Sequence, residues 1–135
     1  MPSELNDLVA DNYPRIATDL LTPILELMRL ARVHCGGDVD KFLAGFGMKR
    51  SDIGSWVMHT GGPKVLDASA EALGLPREAF AASWDCLRNN GNMSSASVLL
   101  VLEDYMMNRK PPAGSYSILA AVGPGFCSEL VLLRW

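Results

Sequence analysis

Three short stretches hold residues whose types and spacing could do chemistry. His59 follows the apolar run Ile53–Met58 and precedes Thr60-Gly61-Gly62-Pro63. α/β sheets place ligands beyond the carboxyl ends of their strands, so an imidazole there is either structural or turned to a ligand. Asn92 sits in Gly91-Asn92-Met93-Ser94-Ser95. These residues suit a turn followed by a helix cap. A turn and cap account for every residue; the functional alternative is a side-chain amide held at a helix N-terminus, where it donates to an oxygen gaining negative charge. Gly123-Pro124-Gly125-Phe126 reads as a turn between strands, or as a rigid loop that brings backbone close to a substrate. The cysteines Cys35, Cys86 and Cys127 have no partner at a metal-ligand spacing, so no metal site is expected. Cys86 and Cys127 read as small buried apolar residues.

The elements that must hold these residues can be read from periodicity. Ser3–Tyr13 suits a short helix. From Ile16 to Ala31 apolar residues recur every three or four positions and give one face of a helix, with Pro23 kinking or restarting it after Thr22. Gly36-Gly37 is expected to end that helix, and Asp38 to cap a short one to Phe46. Ile53–Met58 suits a buried strand. Pro63–Leu73 suits a helix, with Pro at its first turn and Gly74 at its stop. Pro76–Leu87 suits another helical piece, and Asn89-Asn90-Gly91-Asn92 a turn. A long helix then runs from Ser94 or Ser95 to about Asn108. Tyr116–Val122 and Cys127–Trp135 suit two strands flanking Gly123-Pro124-Gly125. Strand, helices and two adjacent strands make an α/β unit, layered, with a mixed sheet.

Composition sets limits on function. The 135 residues are 49% hydrophobic and 20% charged, ordinary for one folded domain. The net charge of −3, without a Lys/Arg block, gives no basic footprint for nucleic acid. Ile16–Val33 is interrupted by Asp19, Glu26, Arg29 and Arg32, so no membrane span is expected. The first residues carry Glu4, Asp7 and Asp11 and lack the basic and apolar regions of a secretory signal. An odd number of widely spaced cysteines fits a reducing, cytoplasmic setting.

Taken in order, His59-Thr-Gly-Gly-Pro-Lys-Val-Leu, Gly91-Asn-Met-Ser-Ser-Ala-Ser-Val and Gly123-Pro-Gly-Phe resemble the C-terminal part of a type III polyketide synthase. That is the chalcone and stilbene synthase family, with a flavour nearer the bacterial alkylresorcinol and alkylpyrone synthases. The resemblance covers Asp38 to Trp135. It implies the C-terminal half of a thiolase-like fold, a homodimer, and a Cys-His-Asn catalytic set in which His59 and Asn92 are the His and Asn. It implies coenzyme A thioesters as substrates and no tightly bound cofactor. In the family an acyl-CoA loads the Cys, malonyl-CoA is decarboxylated, and the resulting enolate attacks the acyl group. An imidazole N–H and an amide N–H aimed at the enolate oxygen stabilise it. Loss of one such donor costs on the order of a hundredfold to a thousandfold in rate. The resemblance also gives Gly123, Pro124, Gly125 and Phe126 the shaping of the substrate pocket. Val122 precedes that loop, so the pocket size of the plant enzymes does not transfer.

The sequence departs from this pattern in two places. The family's nucleophilic Cys lies well before the His, whereas 58 residues precede His59 here, and Cys35 lacks the nucleophile's setting. The chain is therefore expected to supply the His/Asn half without the Cys half. Residues 1–37 are expected to be a helical segment, with Ile16–Gly37 an apparent insertion, and 38–135 the synthase C-terminal-type domain. The expected partners are acyl-CoA, malonyl-CoA, and either a second copy or a complementary synthase half. An alternative is an inactive truncated homologue that acts as a binding or dimerisation partner.

Overall fold

The computed structural model describes residues 35–123 and 127–135. The expected helices of Ser3–Tyr13 and Ile16–Ala31, and the loop residues Pro124, Gly125 and Phe126, lie outside these. Residues 35–44 are helical (α1). A 3-10 turn over Arg50–Asp52 leads into strand β1, Ile53–Met58. Helix α2, Pro63–Leu73, is followed by a 3-10 turn over Arg77–Phe80, then α3, Ala81–Asn90, and α4, Ala96–Met107. Strands β2, Tyr116–Gly123, and β3, Cys127–Arg134, complete the order.

The sheet has the order β1-β2-β3, with β1 parallel to β2 and β2 antiparallel to β3. The parallel pair needs a crossover, which α2, α3 and α4 provide. Trp56, Val57 and Met58 are all buried, so β1 is covered on both faces. Trp56, Met58, Ile118 and Ala120 pack with Val39, Leu43, Leu66 and Leu73 from α1 and α2. Val57 packs on the other side with Ala82, Cys86, Val98, Val101 and Tyr105 from α3 and α4. The result is helices, sheet, helices. Ile53 pairs with Tyr116 but Ser55 pairs with Ser117, so Gly54 is an extra residue on β1. This bulge puts Ile53 on the same side as Trp56, three residues later, where strict alternation would have opposed them.

Helix α2 matches its expected bounds. Pro63 fits its first turn, and Gly74, at φ 66°, closes it in the left-handed conformation. The Leu75 N–H then reaches back to the Ala70 carbonyl at 2.9 Å.

Two local expectations fail. Gly36-Gly37 does not end a helix and Asp38 is not a cap, because α1 runs through all three. The reason is close packing: a Cβ on Gly36 would stand 2.6 Å from the Ala72 carbonyl oxygen, so only glycine lets α1 approach α2 this closely. Pro76–Leu87 is not one helix either. Pro76 is extended, a 3-10 turn follows, and α3 then continues to Asn90, taking in Asn89-Asn90, which had suited a turn.

Arg50 ties these pieces together. Its guanidinium holds Asp40 through two nitrogens, at 2.6 and 2.7 Å, and donates to the Leu73 carbonyl at 2.8 Å and the Gly36 carbonyl at 3.2 Å. A cation at the end of α2 also suits the negative end of the helix dipole.

Candidate active site

His59 stands one residue past β1, and its backbone N–H extends the ladder to the Ala120 carbonyl at 2.8 Å. The sheet hydrogen bonding therefore fixes its backbone. The side chain is half-buried, and its Nδ1 is buried with no hydrogen-bond partner among the described residues. Burial holds the imidazole pKa below the ordinary His value. The ring is thus neutral at neutral pH, with one nitrogen a donor and the other an acceptor. Thr60 is fully buried, and its hydroxyl also lacks a partner among the described residues. Gly62, at φ 125°, turns the chain from this point into α2.

Asn92 is exposed and lies between Gly91, which ends α3, and the first turn of α4. Its side-chain Oδ1 accepts the Ser94 N–H at 2.9 Å. That bond occupies the carbonyl end of the side chain and leaves the NH2 end as a donor. The tight turn needs Ser94 at φ 57°, a left-handed conformation uncommon outside glycine. The Met93 N–H donates to the Ser97 hydroxyl at 2.7 Å, and Ser97 is fully buried.

Helix α3 joins these two residues. Ser83 donates to the Met58 carbonyl at 2.7 Å, beside His59. Three residues further along the same helix, the Cys86 thiol donates to the Ser97 carbonyl at 3.8 Å. Tyr105 and Arg109, near and beyond the end of α4, lie beside Ile53–Trp56 at the start of β1, so α4 runs back along β1 with its first turn toward the His59 end. Gly123 ends β2, which is parallel to β1 and runs three residues past the Met58–Ala120 pair. His59, Asn92 and Gly123 therefore share one end of the sheet.

The cysteines do not join this group as nucleophiles. Cys35 lies in the first core, where burial and then the Asp38 carboxylate push its thiol pKa up, away from a reactive thiolate. Cys86 is buried in the second core. Only the backbone of Cys127, at the start of β3, is described. No group of three or more His, Cys, Asp or Glu among the described residues could hold a metal ion. No helix among them is long and apolar enough to cross a membrane. Two open clefts lie elsewhere, one between α3 and α4 around Asp85 and Asp104, the other beside Ser55 and Tyr105. Neither is lined by His59 or Asn92.

Sequence reasoning passed over Thr60, Ser83 and Ser97. The available signal was polar residues on buried helix faces: Ser83 three positions before Cys86, and Ser97 in the otherwise apolar opening of α4.

The family described as 3-oxoacyl-[acyl-carrier-protein (ACP)] synthase III C terminal matches residues 43–135. The chain belongs to this family. It is 53% identical over 106 residues to a 1,3,6,8-tetrahydroxynaphthalene synthase of Streptomyces peucetius subsp. caesius, covering 78% of this chain and 28% of that one. It is 40% identical over 102 residues to a 3,5-dihydroxyphenylacetyl-CoA synthase of Streptomyces toyocaensis, covering 76% and 26%. The chain thus spans about a quarter of the length of these relatives. Among solved structures, the 1,3,6,8-tetrahydroxynaphthalene synthase of Streptomyces coelicolor, a bacterial type III polyketide synthase, superimposes with a TM-score of 0.71 at 29% identity. That match covers 82% of this family member and 30% of the synthase. The fold is accordingly the C-terminal α/β unit of a thiolase-like fold, and its homologues are type III polyketide synthases.

Proposed function

We propose that this chain supplies the His59 and Asn92 half of an acyltransferase of the type III polyketide synthase class. The reaction is decarboxylative condensation of malonyl-CoA onto an acyl-CoA-derived starter. The observation that carries this reading is the Ser94 N–H on Asn92 Oδ1, which leaves an amide donor at the sheet end that also carries a neutral imidazole. Two uncharged donors suit an enolate oxygen, because they bind developing negative charge without a counter-charge that must be desolvated. An Asp at position 92 would repel the same enolate. In this reading the nucleophilic Cys belongs to the other half of the synthase, Cys35 and Cys86 being buried in the cores. Gly123 and residues 124–126 shape the pocket beyond the end of β2. The synthase-type domain takes in residues 38–135 together with residues 35–37, which are continuous with α1.

The test is complementation. The chain is mixed with the Cys-bearing segment of a tetrahydroxynaphthalene synthase, and malonyl-CoA consumption is followed. Consumption is expected from the mixture, with a loss of a hundredfold or more, on the order of an oxyanion-donor deletion, in His59→Ala or Asn92→Ala. Unchanged consumption in both variants would remove these two residues from the mechanism.

A second reading is an inactive partner of a full-length synthase. It is favoured by Leu99 and Met106, which α4 exposes by 61% and 57%. Co-elution with a full-length synthase, without any malonyl-CoA turnover in complementation, selects this reading.

A further inference from the structure

We infer that Ser83, Cys86 and Ser97 are positioning residues that set where His59 and Asn92 stand relative to each other. The inference rests on the reading that these two residues are the paired donors. His59 and Asn92 are 33 positions apart, and one lies at a strand end and the other in an exposed turn. No hydrogen bond joins them directly among the described residues. Three polar contacts, linked through α3, do join the residues next to them. The Ser83 hydroxyl grips the Met58 carbonyl at 2.7 Å, one residue before His59. Cys86, one helical turn along, grips the Ser97 carbonyl at 3.8 Å. The Ser97 hydroxyl takes the Met93 N–H at 2.7 Å, one residue after Asn92. Ser83 and Ser97 are both fully buried.

Small hydroxyl and thiol groups matter here for two reasons. All three are buried, where losing a partner is costly, so the contacts favour one arrangement. Being short, they also transmit backbone position with little rotamer freedom. Helix α3 thereby acts as a spacer of fixed length between the two donors. Productive geometry requires placement to within about half an ångström, which packing and supporting hydrogen bonds hold together.

The test uses amide exchange and NMR on the full chain and does not depend on turnover. In the wild type the Met93 amide, on an exposed residue, is expected to exchange at least tenfold slower than a free peptide amide. In Ser97→Ala that protection should disappear, and the Asn92 side-chain NH2 resonances should move toward those of an unstructured Asn. In Ser83→Ala the His59 ring resonances should shift. An unprotected Met93 amide in the wild type overturns the inference, and that measurement stands even if a variant does not fold. Unchanged Asn92 resonances in a folded Ser97→Ala, or unchanged His59 resonances in a folded Ser83→Ala, overturn it as well. Failure of the malonyl-CoA assay with these spectra as expected would instead count against the proposed reaction alone.

Discussion

Arg50 holds Asp40 with two nitrogens of one planar guanidinium, and the same side chain closes the end of α2 through the Leu73 carbonyl. One residue thus joins α1, the turn before β1 and α2. Arg50→Ala is expected to lower stability by roughly 1–3 kcal/mol, the range for charge-assisted hydrogen bonds to part-buried carbonyls. Arg50→Lys should recover little of it, because an ammonium cannot make the paired contact. Urea unfolding measures both. A loss below about 0.5 kcal/mol, the level of an ordinary surface change, would show that the clamp is not structural.

The two adjacent glycines of α1 should respond in opposite directions. At Gly36 a Cβ would stand 2.6 Å from the Ala72 carbonyl, while at Gly37 nothing lies within 4 Å. Alanine is the better helix former at both sites, by about 1 kcal/mol. At Gly37 that gain should appear as raised stability. At Gly36 the clash is with backbone, which cannot swing aside, and Gly36→Ala should cost about 1–3 kcal/mol. Thermal melts of the two variants decide the point, and equal shifts would contradict the close approach of α1 to α2.

The pH dependence of stability follows from His59. An unfolded His titrates near 6.5, and burial holds the folded value lower. Between the two values the unfolded chain binds more protons, so stability rises with pH there. The contribution is fully present above the ordinary His value and is lost as pH falls from it through the folded value. Wild type should therefore lose more stability than His59→Gln between about pH 7.5 and about pH 5.5, a window spanning the ordinary His range. Parallel losses in both proteins would mean that His59 titrates normally.

The exposed apolar residues of α4 should be dispensable for the fold of this chain. Leu99→Gln and Met106→Gln are expected to change stability by no more than about 0.5 kcal/mol, as for ordinary surface positions. If α4 meets a synthase partner, the variant combining Leu99→Gln and Met106→Gln should lose co-elution with it while its melting temperature stays within a few degrees. A large drop in melting temperature would mean that these side chains pack against the chain itself.

Local signals in the sequence were read well, and contacts between distant segments were not. Ile53–Met58 and Pro63–Leu73 agree with β1 and α2 because an uninterrupted apolar run, a Pro at the first turn and a Gly at the stop act within a few residues. His59 and Asn92 were legible as candidates for the same reason. The helical course of Gly36-Gly37 depends on Ala72, which no window around position 36 contains. The partners of Arg50 lie 10, 14 and 23 positions away, beyond any periodic pattern. Nothing in the local pattern marks Ser83 and Ser97, since their value comes from Met58 and Met93.

The bulge at Gly54 separates two problems that the chain would otherwise have to solve together. The phase of a strand normally propagates along its whole length, so what precedes it dictates which face each later residue takes. Here the extra residue resets the count between Ile53 and Ser55. The orientation of His59 is consequently written in the five residues from Ser55 onward and their pairing with β2. The turn at Arg50–Asp52 and the clamp on α1 can vary in length or packing without turning the imidazole to the wrong side of the sheet.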